Sequence, residues 1–72
     1  MFSIEEALSV FKREYPESKP IKYAKLKNGY LIVTKYTPGL LECNYYIVDT
    51  RKVITPTNPY LCKANSLKFF NV

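Results

Sequence analysis

The side chains that could do chemistry in this chain of 72 residues are few, and they are not grouped. The sequence has no histidine, so the usual general base near neutral pH is missing. Two cysteines without a histidine match no known zinc spacing. Glu42 and Asp49 flank one predicted strand, but no spacing argument directs both carboxylates to a common substrate. With only two glycines the chain has no glycine-rich phosphate loop. We therefore expect no catalytic residue, no metal site and no cofactor.

The cysteines Cys43 and Cys62 are best explained as packing residues. A free thiol behaves as a small apolar side chain, and in a reducing compartment it fills a gap in the core. A nucleophilic Cys43 would need a neighbouring cation to lower its pKa, and nothing but composition suggests Lys35 or Arg51 for this. A disulfide is the alternative if the chain is secreted. We predict two unlinked thiols that neither folding nor binding requires.

Tyrosine and lysine remain as the residue types that could bind a partner. The chain has seven tyrosines, no tryptophan and a formal net charge of +5. Aromatic rings among basic residues can stack on bases and hold phosphates, and tyrosines with a charged rim also anchor protein interfaces. Five such residues share one face of a predicted hairpin, which we call the Tyr/Lys face: Tyr23, Lys25, Lys27, Tyr30 and Tyr36. This face is the candidate partner-binding site.

A predicted hairpin over residues 21–36 positions these side chains. Asn28-Gly29 is the strongest two-residue turn signal, because a type I′ turn needs positive φ at both central residues. The resulting register pairs four sets of residues: Lys27 with Tyr30, Leu26 with Leu31, Ala24 with Val33, and Tyr23 with Thr34. Side chains alternate between faces, so the opposite side of the hairpin, here called the apolar face, carries Ala24, Leu26, Leu31 and Val33. We expect the apolar face to be core, whereas the Tyr/Lys face is either open to a partner or covered by another segment of the chain.

An N-terminal helix is predicted to cover the apolar face. Ser3 and Glu6 form a capping box, and apolar residues recur at helical spacing until Pro16 stops the helix. Acidic residues in the first turn and basic residues in the last suit the helix dipole. The helix therefore has one apolar stripe, which needs an apolar surface to pack against.

Two more strands and a second helix are predicted after the hairpin. Residues 44–48 and 53–55 are rich in tyrosine and β-branched side chains, and Asp49 enters the turn between them. Asn58-Pro59 is a helix start and predicts a second helix that runs to about Phe69. The expected fold is α+β in one domain: an N-terminal helix packed on a three- or four-stranded antiparallel meander, followed by a short C-terminal helix. If the second helix or a loop covered the Tyr/Lys face, its tyrosines would be ordinary strand residues.

Several segments together resemble a PepSY-like unit. They are Glu5-Glu6-Ala7 opening a helix, Tyr15-Pro16 at its stop, Asn28-Gly29-Tyr30, and the run Tyr45-Tyr46-Ile47-Val48-Asp49. In that family a helix precedes a small antiparallel sheet whose last turn contains glycine, and this chain has Thr50-Arg51-Lys52 there. The chain is also similar to short uncharacterised proteins of Gram-positive bacteria and their phages. The resemblance implies a binding module without catalytic residues, in a family linked to inhibiting or chaperoning peptidases.

These observations lead to one expected function and one alternative. The expected function is a small non-enzymatic binding module for a protein partner that is acidic where it meets the lysines. Its specific version is an inhibitor or accessory protein of phage or mobile-element type. The alternative is a single-stranded nucleic-acid-binding module that uses the Tyr/Lys face. Acids stand where a signal peptide would be basic, and no apolar run approaches a membrane span. We expect a cytoplasmic protein without membrane contact, and the sequence leaves its oligomeric state open.

Overall fold

The computed structural model describes residues 1–35 and 44–72 of the chain. The elements, in chain order, are α1 Ile4–Glu14, β1 Pro20–Leu26, β2 Gly29–Thr34, β3 Tyr45–Asp49, β4 Ile54–Thr57, a 3₁₀ turn Ala64–Ser66 and β5 Phe69–Asn71. The strands form one antiparallel sheet in the order β4-β3-β2-β1-β5. The predicted α+β class with an antiparallel sheet is confirmed. The strand number is wrong, because the described residues form five strands and not three or four.

Helix α1 forms from the signals that predicted it. The Glu6 backbone N–H donates to Ser3 Oγ at 3.1 Å, which is the capping interaction expected of this pair. The helix ends before Pro16, whose ring cannot continue the helical hydrogen bonds. Three of its residues are buried against the sheet: Ala7, Val10 and Phe11.

The hairpin forms, but its pairing differs by two positions from the predicted register. Leu26 pairs with Gly29, so the turn consists of Lys27 and Asn28. Neither of these two residues has the positive φ that a type I′ turn requires, whereas Gly29 has a φ of 152°. A shift by two positions preserves the alternation of side chains, so the β1 and β2 residues stay on their predicted faces.

Helix α1 packs on the Tyr/Lys face. The prediction that it packs on the apolar face is wrong. The core beneath it is a set of buried residues from the helix, β2 and β3: Ala7, Val10, Phe11, Tyr30, Ile32, Tyr46 and Val48. Tyr30 is only 8% exposed, and its ring centroid lies 6.0 Å from that of Phe2. Aromatic rings offer more area to bury than the aliphatic side chains of the opposite face. The Tyr/Lys face is therefore covered over β2, and the cover is α1, not the second helix or the loop that the sequence offered as alternatives.

The segment between β4 and β5, residues 58–68, crosses the sheet. These two strands lie at opposite edges, so the chain must pass over one face to connect them. Ala24 and Leu31 are fully buried on the face away from α1, and Ala64 of this crossing segment is also buried. We infer that the crossing segment covers the apolar face, where α1 had been expected.

The predicted helix from Pro59 to Phe69 is wrong, although its start signal is real. The Asn58 side-chain oxygen accepts hydrogen bonds from the N–H groups two and three residues later, at 3.0 and 2.9 Å. One turn later Lys63 takes a left-handed φ of 53°. The Ala64 N–H then donates to the Pro59 carbonyl at 2.9 Å, as at a helix C-terminus. The chain therefore leaves the helical path after one turn and goes on to β5.

Asp49 holds the turn between β3 and β4, as the sequence predicts. Its Oδ1 accepts from the N–H groups of Val53 at 3.1 Å and Arg51 at 2.8 Å. Its Oδ2 accepts from the Arg51 guanidinium at 3.2 Å. The hydrogen bond from Val53 is the largest cause that holds the pKa of this carboxyl below its ordinary value of 3.8; desolvation opposes it, and the hydrogen bonds and charge of Arg51 lower the pKa further.

The lowered pKa of Asp49 predicts that the domain becomes less stable in acid. The pKa of Asp49 is lower in the folded chain than in the unfolded chain, so its contribution is present above the unfolded pKa and is lost as the pH falls through the folded pKa. We expect urea midpoints of Asp49→Asn to lie below those of the parent at about pH 7 and the two to converge once the pH has fallen below the folded pKa of Asp49. A difference that stays constant down to that pH would show that the charge is not its source.

Candidate partner-binding edge

The structure separates the five residues of the Tyr/Lys face. Tyr30 is buried beneath α1, and Tyr23 is half-buried beside it, nearer the edge of the sheet. Lys25 and Lys27 are exposed on β1 and its turn. Tyr36 lies outside the described residues. Tyr23 and Lys25 are thus the members of the predicted site that an approaching partner can reach together on β1.

Strand β5 and the residue before it bring Phe70 and Lys68 next to Tyr23 and Lys25. Phe70 pairs with Tyr23, and their rings stack with centroids 5.5 Å apart and an interplanar angle of 29°. The Lys68 ammonium lies 5.4 Å from the Phe70 ring centroid, and the Lys25 ammonium lies 4.9 Å from the centroid of Tyr30. Both distances are within cation–π range. We call Tyr23, Lys25, Lys68 and Phe70 the basic aromatic edge.

This edge is accessible because α1 packs against β2 and β3. The β1–β5 side of the same face therefore stays partly open, and Phe70 is 44% exposed. Lys25 and Lys68 are exposed beside it. The edge thus offers an exposed apolar ring next to two ammonium groups, which suits a partner with mixed apolar and anionic groups.

The charge along this edge has one sign. Lys22, Lys25 and Lys27 lie on β1 and its turn, and Lys68 comes just before β5. Four of the six acidic residues lie in α1 or just after it: Glu5, Glu6, Glu14 and Glu17. The one ion pair within residues 1–35 and 44–72 joins side chains of the β3–β4 turn. None of the edge lysines is therefore paired with a described carboxylate.

Two of these lysines face each other across the strands. Continuing the pairing of Tyr23 with Phe70 by two residues places Lys68 across from Lys25, on the same face. Like charges directly opposite each other on neighbouring strands are destabilising. An anionic group bound between them would relieve the repulsion, so the pair is suited to a carboxylate or a phosphate.

Sequence reasoning missed Lys68 and Phe70 because Lys68 fell within the predicted C-terminal helix and Phe70 directly after it. A usable signal was present. Residues 69–72 are Phe-Phe-Asn-Val, a run rich in aromatic and β-branched residues. The strong helix start at Asn58 outweighed that run when both were assigned to one element.

The other chemistry-bearing residues lie elsewhere. A shallow cleft between the end of α1 and the β3–β4 region is lined by Glu14, Tyr15, Lys52 and Ile54. Cys62 is half-buried in the crossing segment, and Cys43 lies outside the described residues. Within the described part of the chain, no three His, Cys, Asp or Glu side chains are grouped so that they could hold a metal ion. None of the helices described there is long and apolar enough to cross a membrane.

Comparison with known proteins gives no match to any family model, curated protein or solved structure. The class of protein is therefore defined here by its own fold, an α+β domain with one helix on a five-stranded antiparallel sheet.

Proposed function

We propose that this chain is a small non-enzymatic binding module whose partner is a protein with acidic side chains at the contact. The basic aromatic edge carries the proposal, because it presents the exposed ring of Phe70 beside the Lys68 ammonium, with Lys25 on the neighbouring strand β1. Exposed aromatic rings supply apolar contact area, and unpaired lysines speed association with an acidic surface. The resemblance to PepSY-like units, which bind and do not catalyse, supports the same function. An inhibitor or accessory role of phage or mobile-element type is its specific form.

Single-stranded nucleic acid is the second candidate partner. The stacked pair Tyr23 and Phe70 beside two lysines is the observation that favours it, since bases stack on such rings. Single-strand binders, however, use several successive rings, and Tyr30 is covered by α1. The protein partner is therefore the preferred candidate.

Charge reversal at the edge tests the proposal. The double variant Lys25→Glu and Lys68→Glu should lose at least about tenfold in affinity for an acidic protein partner. Lys19→Glu with Lys35→Glu is the matched control, because it changes the net charge equally at exposed positions at the other end of the hairpin. The three proteins are immobilised and exposed to cell extract with and without nuclease treatment, and each captured protein is then purified and titrated.

The outcomes separate the two partner classes. An acidic protein that binds the parent and the control, but not the edge variant, supports the proposal. Equal binding by all three proteins contradicts it. Capture that disappears with nuclease and falls steeply as salt rises favours nucleic acid instead.

A further inference from the structure

We propose that β5 accepts an additional strand, supplied by an extended acidic segment of the partner protein. This inference rests on the proposed function and specifies how the partner is held. Strand addition to an open sheet edge gives affinity through backbone hydrogen bonds and specificity through alternate side chains. Three observations support it: the outward backbone groups of β5, the blocked edge at β4, and the side chains beside β5.

The register shows which backbone groups of β5 point outward. The Val72 N–H donates to the Ile21 carbonyl at 3.0 Å, so these two residues form a hydrogen-bonded pair. In an antiparallel ladder every second pair is hydrogen-bonded, which makes Tyr23 and Phe70 the next such pair. The N–H and C=O groups of Phe69 and Asn71 therefore point away from β1. Within residues 1–35 and 44–72 no strand pairs with these groups, so they form the free edge of the described sheet on this side.

The opposite edge of the sheet is protected. The Asp49 N–H donates to the Val53 carbonyl at 3.1 Å, and the same alternation then directs Ile54 and Pro56 outward from β4. Proline has no N–H to donate, and proline on an edge strand is a known means of preventing unwanted pairing. Strand β5 contains no proline, so the sheet has one blocked edge and one open edge.

The side chains at the open edge define the occupant. Residues two apart on an added strand lie on the same face, so one of its side chains would contact Phe70 and the next on that face would lie near Lys68. The partner segment should therefore contain an apolar residue and an acidic residue, with any one residue between them. A second copy of this chain is disfavoured, because its net charge of +5 would repel the same lysines.

Substitutions at one position of β5 separate the contribution of the backbone N–H to binding from that of the side chain. Asn71→Pro removes an outward N–H without removing a bond to β1, and proline is tolerated at edge positions of this kind. Asn71→Ala is the matched control, since it deletes the side chain and keeps the N–H. The probe is a short blocked peptide with a central leucine, a threonine on each side, and a glutamate beyond each threonine. Its symmetry places a glutamate near Lys68 for either strand direction.

Binding is followed by the NMR shifts of the Phe69 and Asn71 amides, or of Phe69 alone for Asn71→Pro. We expect saturable shifts with the parent and with Asn71→Ala, and at least about tenfold weaker binding by Asn71→Pro at unchanged thermal stability. A control peptide with lysines in place of the glutamates should not bind. If the glutamate peptide leaves these amides unchanged at millimolar concentration, or binds Asn71→Pro as well as the parent, strand addition is wrong.

The same titration distinguishes this inference from the proposed function. Binding that is lost in Lys25→Glu with Lys68→Glu but kept in Asn71→Pro contradicts strand addition and leaves the binding function intact. If neither the double lysine variant nor Asn71→Pro changes binding, both strand addition and the proposed function of the edge are contradicted. A dimer of the parent in sedimentation experiments that Asn71→Pro dissociates would overturn the choice of an acidic peptide in favour of a second copy.

Discussion

Replacing Tyr30 by alanine should lower the free energy of unfolding by about 3–5 kcal/mol, the range for truncating a buried aromatic side chain. Tyr30 is 8% exposed beneath α1, and its ring centroid lies 6.0 Å from Phe2 and 6.1 Å from Tyr23. Truncation would leave a cavity between the helix and the sheet. Since small domains are stable by only about 5–15 kcal/mol, this one change should remove a large share of the total.

Two further variants show whether burial is the cause. Tyr30→Phe keeps the ring and loses only the long hydrogen bond from the hydroxyl to the Phe2 carbonyl at 3.5 Å, so it should cost less than about 1 kcal/mol. Tyr60→Ala removes a ring that is 92% exposed, and it should change stability by no more than about 0.5 kcal/mol. Urea denaturation measures all three. Similar losses for Tyr30→Ala and Tyr60→Ala would contradict the position of α1 on this face.

Gly29→Val should destabilise the domain by at least about 3 kcal/mol or prevent folding, because two costs combine. The φ of Gly29 is 152°, a conformation that side chains with a Cβ rarely adopt. A Cβ at this position would also overlap the carbonyl oxygen of Val48 and lie 2.7 Å from the Cα of Asp49. Both neighbours are backbone atoms of β3, so no side-chain rotation can relieve the contact.

Asn28→Ala is the control for this prediction. A type I′ turn over Asn28-Gly29 would make alanine costly, because Asn28 would then need a positive φ. In the observed turn the φ of Asn28 is not positive, so the substitution should change stability by no more than about 0.5 kcal/mol. Thermal unfolding of both variants decides between the two turns. A Gly29→Val protein as stable as the parent would show that β2 does not pair with β3 at this glycine.

Local patterns predicted the features that depend on local physics. The cap at Ser3, the turn at Asp49 and the alternation of faces along the hairpin each follow from residues close in sequence. The faces were assigned correctly even though the register was wrong, because an error of two positions leaves the alternation unchanged. The Asn28-Gly29 pair was misread since Gly29 serves close approach to β3, and that strand is distant in sequence.

The features that depend on long-range packing could not be predicted from these patterns. Both faces of the hairpin carry apolar residues, so periodicity alone does not say which face α1 covers. The choice depends on Tyr46 from β3, which joins the core under α1, and on whatever buries Ala24 and Leu31 on the other side, which we infer to be the crossing segment. For the same reason the candidate site was only partly predicted: Tyr23 and Lys25 were included, while Phe70 reaches them from a strand that was predicted as helix.

The pairing of β5 with β1 also has a consequence for folding order. Strands β1, β2 and β3 each pair with the next strand along the chain, whereas β5 must close a loop of more than half the sequence to reach β1. Contacts of such large separation carry a high entropic cost before they form, so we expect β5 to join the sheet last and to detach first. The strand that presents the binding edge is then the least stable part of the sheet. A partner segment that binds only attached β5 would slow its detachment, and binding would appear as protection of the β1–β5 amides against hydrogen exchange.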